Sequence, residues 1–191
     1  MAFRESKGGQ AGITKARYVA YITIIACSAV LIYFFGFRGM RFFLVPSASM
    51  EPTLYAHDYL LTLTEGEYAR GDIVVLEDPN EPKSYLVKRI VGVAGDTLRI
   101  EGGALFINDH YASEPYIREP MIFEFDPNPP LTVKPGEVFV MGDNRNDSED
   151  SVTWERAVPL ESVVGRVVLI YNPISRMGPV KAFPLTNVAG E

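Results

Sequence analysis

Cysteine and histidine are scarce in this sequence. The 191 residues include one cysteine, Cys27, and two histidines, His57 and His110, which lie 53 positions apart. A disulfide within the chain is therefore excluded, and the scarcity also argues against a zinc site built from clustered Cys and His side chains. We expect no metal centre.

Acidic residues outnumber basic residues over most of the chain. Residues 1–41 hold six Lys or Arg and one acidic residue, whereas residues 42–191 hold 12 basic and 23 acidic residues. A protein that binds nucleic acid needs a basic stripe to meet the phosphates, and none appears beyond residue 41. The sequence thus predicts no nucleic-acid partner and assigns the basic N-terminal end to a membrane.

The run YVAYITIIACSAVLIYFFGF, residues 18–37, contains no charged residue. At about 1.5 Å per residue, a helix of this length covers a hydrocarbon core of roughly 30 Å. Cleavable signal peptides have shorter apolar stretches, so the run predicts an uncleaved transmembrane anchor. Four basic residues precede it and two follow it closely, which favours a cytoplasmic tail at 1–17 and an extracytoplasmic domain at 38–191.

The rest of the chain alternates short β-type runs with turn signals such as Gly95-Asp96 and Pro135-Gly136. The runs include SYLVKRIVGV (84–93) and MIFEF (121–125). No amphipathic stretch after residue 41 is long enough for a major helix. The pattern predicts a mainly β fold of coiled antiparallel sheets, with about 97–135 as a small β excursion from the main core.

The stretch PSASMEPTL, residues 46–54, places Ser47 and Ser49 on a loop stiffened by two prolines. Such serines commonly only cap a turn. A catalytic serine needs a base within about 3 Å of its hydroxyl. His57 is the nearest histidine in the sequence, yet no second feature supports a triad that includes it.

Lysine is the other candidate base, and only four lysines follow residue 41. Three of them lie beside proline or in the C-terminal tail and look solvated. Lys88 instead shares one face of its predicted strand with Leu86 and Ile90. Burial there would lower the pKa of the amine and let it accept a proton, whereas a snorkelling lysine would stay charged. Periodicity alone leaves both interpretations open.

Three segments in order behind one anchor, SASMEPTL, KRIVGVAGDTLRI and VFVMGDNRNDSEDS, resemble the motif boxes of type I signal peptidases. These bacterial leader peptidases are serine proteases with a Ser-Lys dyad. The resemblance implies a membrane-bound serine endopeptidase that cleaves signal peptides from exported preproteins after small residues, at Ala-x-Ala type sites, through an acyl-enzyme. It implies no metal and no organic cofactor.

The resemblance also implies roles for individual residues. Ser49 corresponds to the nucleophile and Lys88 to the general base, while Ser47 would donate to the oxyanion beside the backbone N–H of Ser49. Ser148 would orient the Lys88 amine, and Asp150 would support that region. The family comparison assigns five apolar residues to the pockets for small substrate side chains: Val45, Met50, Leu54, Leu86 and Val87.

The sequence departs from the commonest family pattern at three positions. Ala48 stands where glycine is frequent, Ala94 where proline is usual, and Val152 where an arginine often follows the last serine. That arginine can pair with the acid matched by Asp150. We hypothesise that Arg145 takes its place as the partner of Asp150.

The implied partners are preproteins with signal peptides, the lipid bilayer and, as a further candidate, the translocation machinery. The implied location is the cell (plasma) membrane, in single-pass topology. Two alternatives stay open: a maturation peptidase dedicated to a conjugation or pilus system, and a non-catalytic envelope scaffold. Self-cleaving repressors also use a Ser-Lys pair, but they need a DNA-binding module where this chain has an apolar run.

Overall fold

The computed structural model describes residues 8–33, 36, 39–64 and 66–185, with side chains from residue 15 onward. The described residues fall into two compact units, one ending at Gly39 and the other beginning at Met40.

The described part of the first unit contains the helix α1, at Gly8–Ile32. It begins before the charge-free run, so part of the segment predicted as a tail is helical. The stretch Lys15–Ile32, with a mean hydropathy of 1.5, is long and apolar enough to cross a membrane, a property that signal sequences and some core helices share. The predicted end of the anchor at residue 37 lies outside the described residues.

The second unit is built from antiparallel strands, which confirms the mainly β prediction. The described part contains twelve strands: β1 (Arg41–Leu44), β2 (Tyr59–Leu63), β3 (Ile73–Glu77), β4 (Tyr85–Gly92), β5 (Thr97–Glu101), β6 (Ala104–Ile107), β7 (His110–Tyr111), β8 (Leu131–Thr132), β9 (Glu137–Met141), β10 (Val158–Pro159), β11 (Val163–Asn172) and β12 (Gly178–Pro179). The eight-stranded main sheet has the order β1-β2-β11-β3-β4-β9-β10, and β12 adds to β11.

The second sheet has the order β7-β6-β5-β8 and lies within the segment predicted as a β excursion. Its apolar side chains share one buried cluster with Val91 and Phe139 of the main sheet. The predicted strand at 121–125 is wrong. Only Phe125 pairs, in a single bridge with Ile100, and Ile122 is exposed. A short β-type run forms a strand only where a partner strand runs beside it.

The C-terminal segment, whose packing the sequence left open, folds back on the main sheet. A 3₁₀ turn at Ile174–Arg176 follows β11, and β12 then pairs with β11 in antiparallel register. The chain continues to the buried Leu185.

Three segments carry the chemistry-bearing residues. The serine loop, residues 46–58, connects β1 to β2. Strand β4 carries Lys88, and β9 pairs with β4 so that Met141 lies opposite Arg89. The chain that follows β9, residues 142–150, is therefore delivered beside Lys88.

Candidate active site

Ser49 and Lys88 meet, although 39 positions separate them. The Lys88 Nζ lies 3.0 Å from the Ser49 Oγ, within hydrogen-bond distance. Ser49 lies in a tight series of turns, in which the Glu51 N–H donates to the Ala48 carbonyl at 3.0 Å and the Leu54 N–H to the Met50 carbonyl at 2.9 Å. The backbone of the serine loop thus fixes where the hydroxyl points.

Lys88 is buried on β4, with 2% of its surface exposed. Of the two interpretations that periodicity left open, the structure has the buried lysine. Burial lowers the pKa of Lys88 below its ordinary value, and four carboxylates oppose that shift: Asp150, Glu149, Asp78 and Asp147. The effect of burial is the larger one, so the Lys88 amine loses its proton at a lower pH than a solvated lysine does.

A hydrogen-bonded chain holds the amine from its other side. The Lys88 Nζ also lies 3.0 Å from the Ser148 Oγ, and the Ser148 hydroxyl donates to Asp150 at 2.7 Å. With its hydroxyl proton directed to Asp150, Ser148 presents a lone pair to Lys88. The amine is therefore oriented between two hydroxyl oxygens.

Asp150 is held by neutral donors. Its carboxylate accepts hydrogen bonds from the backbone N–H of Gly142 at 2.9 Å and of Val152 at 3.1 Å, in addition to the Ser148 hydroxyl. The hypothesis that Arg145 pairs with Asp150 is wrong.

Arg145 instead forms a buried ion pair with Glu114, whose two oxygens lie 2.7 and 2.5 Å from the guanidinium. Its Nε donates to the Gly142 carbonyl at 2.9 Å, and the Tyr116 hydroxyl donates to Glu114 at 2.7 Å. Sequence reasoning missed Glu114. No local signal points to it, because 31 positions separate it from Arg145.

A second buried ion pair connects β4 to the chain after β9. Arg89 donates to Asp143 through two nitrogens at 2.8 and 2.7 Å, and neither side chain is exposed. The Thr53 hydroxyl donates to the same carboxylate at 2.5 Å. Asp143 therefore joins the residue next to Lys88 to the serine loop. Sequence reasoning did not find Thr53.

The neighbours of Asp143 contact the backbone around the serine. The Asn144 N–H donates to the Ser49 carbonyl at 3.0 Å, and its side-chain amide donates to the Ala48 carbonyl at 3.2 Å. The other candidates on the serine loop are more exposed. The Ser47 hydroxyl donates to the Ser49 Oγ at 3.3 Å, and His57 is an exposed residue in a turn with φ 70°.

The five apolar residues that the family comparison assigned to substrate pockets do not form one group. Four of them lie in a single buried cluster: Val45, Met50, Leu54 and Val87. Leu86 is half-buried and packs against a different cluster. Their pocket role stays a prediction. In the part of the chain that the structure describes, no group of His, Cys, Asp and Glu side chains could hold a metal ion.

Comparison with known proteins gives relatives of one kind. The sequence model of the family described as signal peptidase, peptidase S26, matches residues 15–172. The chain is 37% identical over 147 residues to "Thylakoidal processing peptidase 1, chloroplastic" of Arabidopsis thaliana, which covers 70% of this chain and 42% of the plant protein. It is 37% identical over 145 residues to "Probable signal peptidase I-2" of Synechocystis, covering 70% and 64% of the two chains.

A third relative matches over nearly its whole length. "Signal peptidase I U" of Bacillus subtilis is 30% identical over 181 residues, 88% of this chain and 96% of the relative. A crystal structure of a signal peptidase I from Enterococcus faecalis, 29% identical in sequence, aligns with a TM-score of 0.48 over 54% of this chain and 98% of that chain. The chain thus spans less than two thirds of the plant and Synechocystis relatives but nearly all of the Bacillus protein. Because the family model matches residues 15–172 and the Bacillus relative matches over nearly its whole length, the chain belongs to the signal peptidase family, peptidase S26.

Proposed function

We propose that this protein is a serine endopeptidase that removes signal peptides from preproteins, with Ser49 as nucleophile and Lys88 as general base. The observation that carries the proposal is the contact of 3.0 Å between the Lys88 Nζ and the Ser49 Oγ, made by an amine that is 2% exposed. A serine hydroxyl becomes a useful nucleophile only when such a base lies within reach. Family membership supports the reaction class.

In the first step, neutral Lys88 accepts the proton of Ser49 while the Ser49 Oγ attacks the carbonyl carbon of the scissile peptide bond. The carbonyl π electrons move to its oxygen, which becomes the oxyanion of a tetrahedral intermediate. The protonated amine then donates its proton to the leaving nitrogen as the C–N bond breaks. In the second step the same amine deprotonates a water molecule, whose oxygen attacks the acyl carbon. As the C–O bond to Ser49 breaks, the amine returns this proton to the Ser49 Oγ and is neutral again.

The oxyanion needs hydrogen-bond donors within reach of the substrate carbonyl oxygen. The backbone N–H of Ser49 is one candidate, and the hydroxyl of Ser47 is the other. That hydroxyl now donates to the Ser49 Oγ at 3.3 Å, so it must rotate toward the substrate oxygen when the oxyanion forms. Ser148 and Asp150 keep the Lys88 amine aimed at Ser49 through both steps.

The proposed cleavage sites follow small residues, as in Ala-x-Ala. The apolar side chains next to the dyad are tightly packed, with Met50 and Leu54 fully buried. Shallow apolar pockets lined by the predicted residues accept a methyl side chain more readily than a large or charged one. Their burial also keeps water away from the amine, which the chemistry requires.

We also propose that α1 anchors the enzyme in the cell membrane, with the N-terminus in the cytoplasm and the β unit outside. The apolar stretch Lys15–Ile32 supports an anchor, and the excess of basic residues before the charge-free run at 18–37 supports the orientation. An anchor places enzyme and membrane-bound preprotein in one two-dimensional phase, which raises their effective concentration. The translocation machinery is a further proposed partner.

The test is preprotein cleavage by the full chain in detergent or lipid vesicles. We expect Ser49→Ala and Lys88→Ala each to fold and to lose nearly all turnover, since each removes one half of the dyad. Lys83→Ala is the matched control, because Lys83 is an exposed lysine on the turn that precedes β4. It should keep wild-type turnover.

Equal turnover of wild type and either dyad variant would refute the proposed dyad. The rival proposal, a peptidase dedicated to a conjugation or pilus system, uses the same dyad and differs in substrate range. A panel of unrelated preproteins separates the two, because cleavage of only one substrate favours the dedicated enzyme.

A further inference from the structure

Arg176 lies beyond the residues that the family model matches, which end at 172. It is the last residue of the 3₁₀ turn at the tip of the β11–β12 hairpin, and its own N–H donates to the Pro173 carbonyl at 2.9 Å. The pairing of β12 with β11 fixes this tip to the main sheet. Arg176 thus extends from a rigid support.

The guanidinium of Arg176 contacts the end of the serine loop. Its Nε lies 3.0 and 3.1 Å from the two oxygens of the buried Asp58, and its Nη2 lies 3.0 Å from one of them. It also lies over the Tyr55 ring, 4.2 Å from the centroid. Asp58 in turn accepts from the Tyr55 N–H at 2.9 Å, which closes the loop at its base.

The same Nη2 donates to the Thr53 carbonyl at 3.2 Å. That carbonyl belongs to the planar peptide unit whose N–H, on Leu54, donates to the Met50 carbonyl at 2.9 Å. One rigid peptide therefore joins Arg176 to the residue that follows the nucleophile. Hydrogen bonds in such a chain polarise and strengthen one another.

Thr53 also reaches the lysine side of the site. Its hydroxyl donates to Asp143, which is paired with Arg89 next to Lys88. Arg176 and Asp143 thus hold Thr53 by its carbonyl and its hydroxyl. Thr53 thus links the serine loop to the Arg89–Asp143 pair beside Lys88.

We propose that Arg176 is a positioning residue that keeps Ser49 within reach of Lys88 by holding the Thr53–Leu54 peptide. The proposal rests on the proposed function in naming Ser49 as the nucleophile, but the loop contacts on which it depends can be measured without activity. A misplacement of about 1 Å far from the reacting atoms can cost roughly 100-fold in rate. A tenfold fall in kcat is therefore the expected scale for Arg176→Ala.

The chain offers a matched control in Arg166 and Asp72. This pair is 3.2 Å long, with side chains 34% and 3% exposed, against 3.0 Å, 32% and 2% for Arg176 and Asp58. Arg166 lies on β11 and makes this bond to the residue before β3, away from the serine loop. Arg166→Ala should lower the melting temperature about as much as Arg176→Ala, yet keep kcat within twofold of wild type.

The experiment combines preprotein cleavage with hydrogen exchange on the full chain. For Arg176→Ala we expect roughly tenfold lower kcat, a KM within twofold of wild type, and faster exchange of the Glu51 and Leu54 amides than in Arg166→Ala. If Arg176→Ala does not fold, Arg176→Lys carries the test. Lysine keeps the charge beside Asp58 but lacks the fork that reaches Asp58 and Thr53 together.

A double-mutant cycle of Arg176→Ala and Thr53→Val tests whether Arg176 acts on the site through Thr53. The valine removes the bond to Asp143, so the combined variant should lose less kcat than the product of the two single losses. Fully independent effects, or wild-type kcat and exchange in Arg176→Ala, would overturn the proposal. Cleavage that persists in Ser49→Ala would instead remove the proposed function, and faster exchange of the Glu51 and Leu54 amides in Arg176→Ala would still report on Arg176.

Discussion

Ser49 and Gly142 are packed against each other: a Cβ built on Gly142 would lie 2.5 Å from the Ser49 carbonyl oxygen. Real Cβ atoms do not approach a backbone oxygen so closely. The same Cβ would also collide with the Ser148 side chain. Gly142→Ala must therefore push the serine loop away from the chain after β9, and we expect it to lower kcat at least 100-fold in the preprotein assay.

Gly178→Ala is the matched control, because a Cβ at Gly178 meets no atom within 4 Å. It should keep wild-type turnover. If Gly142→Ala keeps it too, the close packing around Ser49 has no role in catalysis.

The second prediction concerns the carboxylates around Lys88. Glu149 is exposed and raises the pKa of Lys88 against the lowering by burial. Glu149→Gln should therefore move the acidic limb of the kcat/KM profile to lower pH, since the amine loses its proton more readily, while kcat on the plateau stays unchanged. Glu161→Gln is the control, because Glu161 is exposed and is not among the charges acting on Lys88. The acidic limb of its kcat/KM profile should lie at the same pH as in wild type. A shift to higher pH in Glu149→Gln would contradict Lys88 as the base.

The third prediction concerns stability. Between the lowered pKa of Lys88 and the ordinary lysine value, the unfolded chain binds a proton that the folded chain has released, so stability rises with pH across that window. Lys88→Met cannot titrate and lacks this rise. We expect the methionine variant to be more stable than wild type at neutral pH, and the difference to shrink as the pH is raised.

Denaturant unfolding at a series of pH values measures this difference. The exposed Lys83, changed to Met, is the control and should show a difference that does not vary with pH. A gap between Lys88→Met and wild type that widens with pH would mean that the amine is not desolvated in the folded chain.

The fourth prediction concerns the ion pair of Arg145 and Glu114, whose side chains are 0% and 4% exposed. Glu114→Gln leaves a buried guanidinium without its counter-charge, so it should lower the free energy of unfolding by about 3 to 5 kcal/mol. Glu101→Gln breaks the surface pair with Arg99 and should change it by less than about 0.5 kcal/mol. Chemical denaturation measures the free energy of unfolding of both variants. Equally small losses would show that the buried pair contributes little to stability.

Much of the fold follows from local patterns. Strand β4 could be predicted because a run of β-type apolar residues surrounds Lys88, and the turns could be predicted from glycine. The run at 121–125 has the same β character but forms no strand, because only Phe125 finds a partner, in a bridge with Ile100. Whether a β-type run becomes a strand depends on a partner from a distant part of the chain, and the local sequence does not show that partner.

The same limit applies to the site. The motif boxes identified Ser49, Lys88 and Ser148, which the structure brings together. The donors to Asp150 are mostly backbone N–H groups, which every residue except proline has, so no residue type could reveal them. Glu114 and Arg176 were missed because each contacts its partner over a long separation, through a pairing that only the folded chain defines.

The separation along the chain of Ser49, Lys88 and Ser148 has a consequence for biosynthesis. Ser49 and Lys88 are made early, but the hydroxyl that orients the amine comes from the last third of the sequence, after β9 has paired with β4. Both members of the fully buried Arg89–Asp143 pair must also be present before either charge can leave water. A nascent chain that stops short of this loop therefore carries the proposed nucleophile and base without the contacts that orient them, and we expect peptide-bond cleavage to begin only once residues 142–150 have folded beside β4.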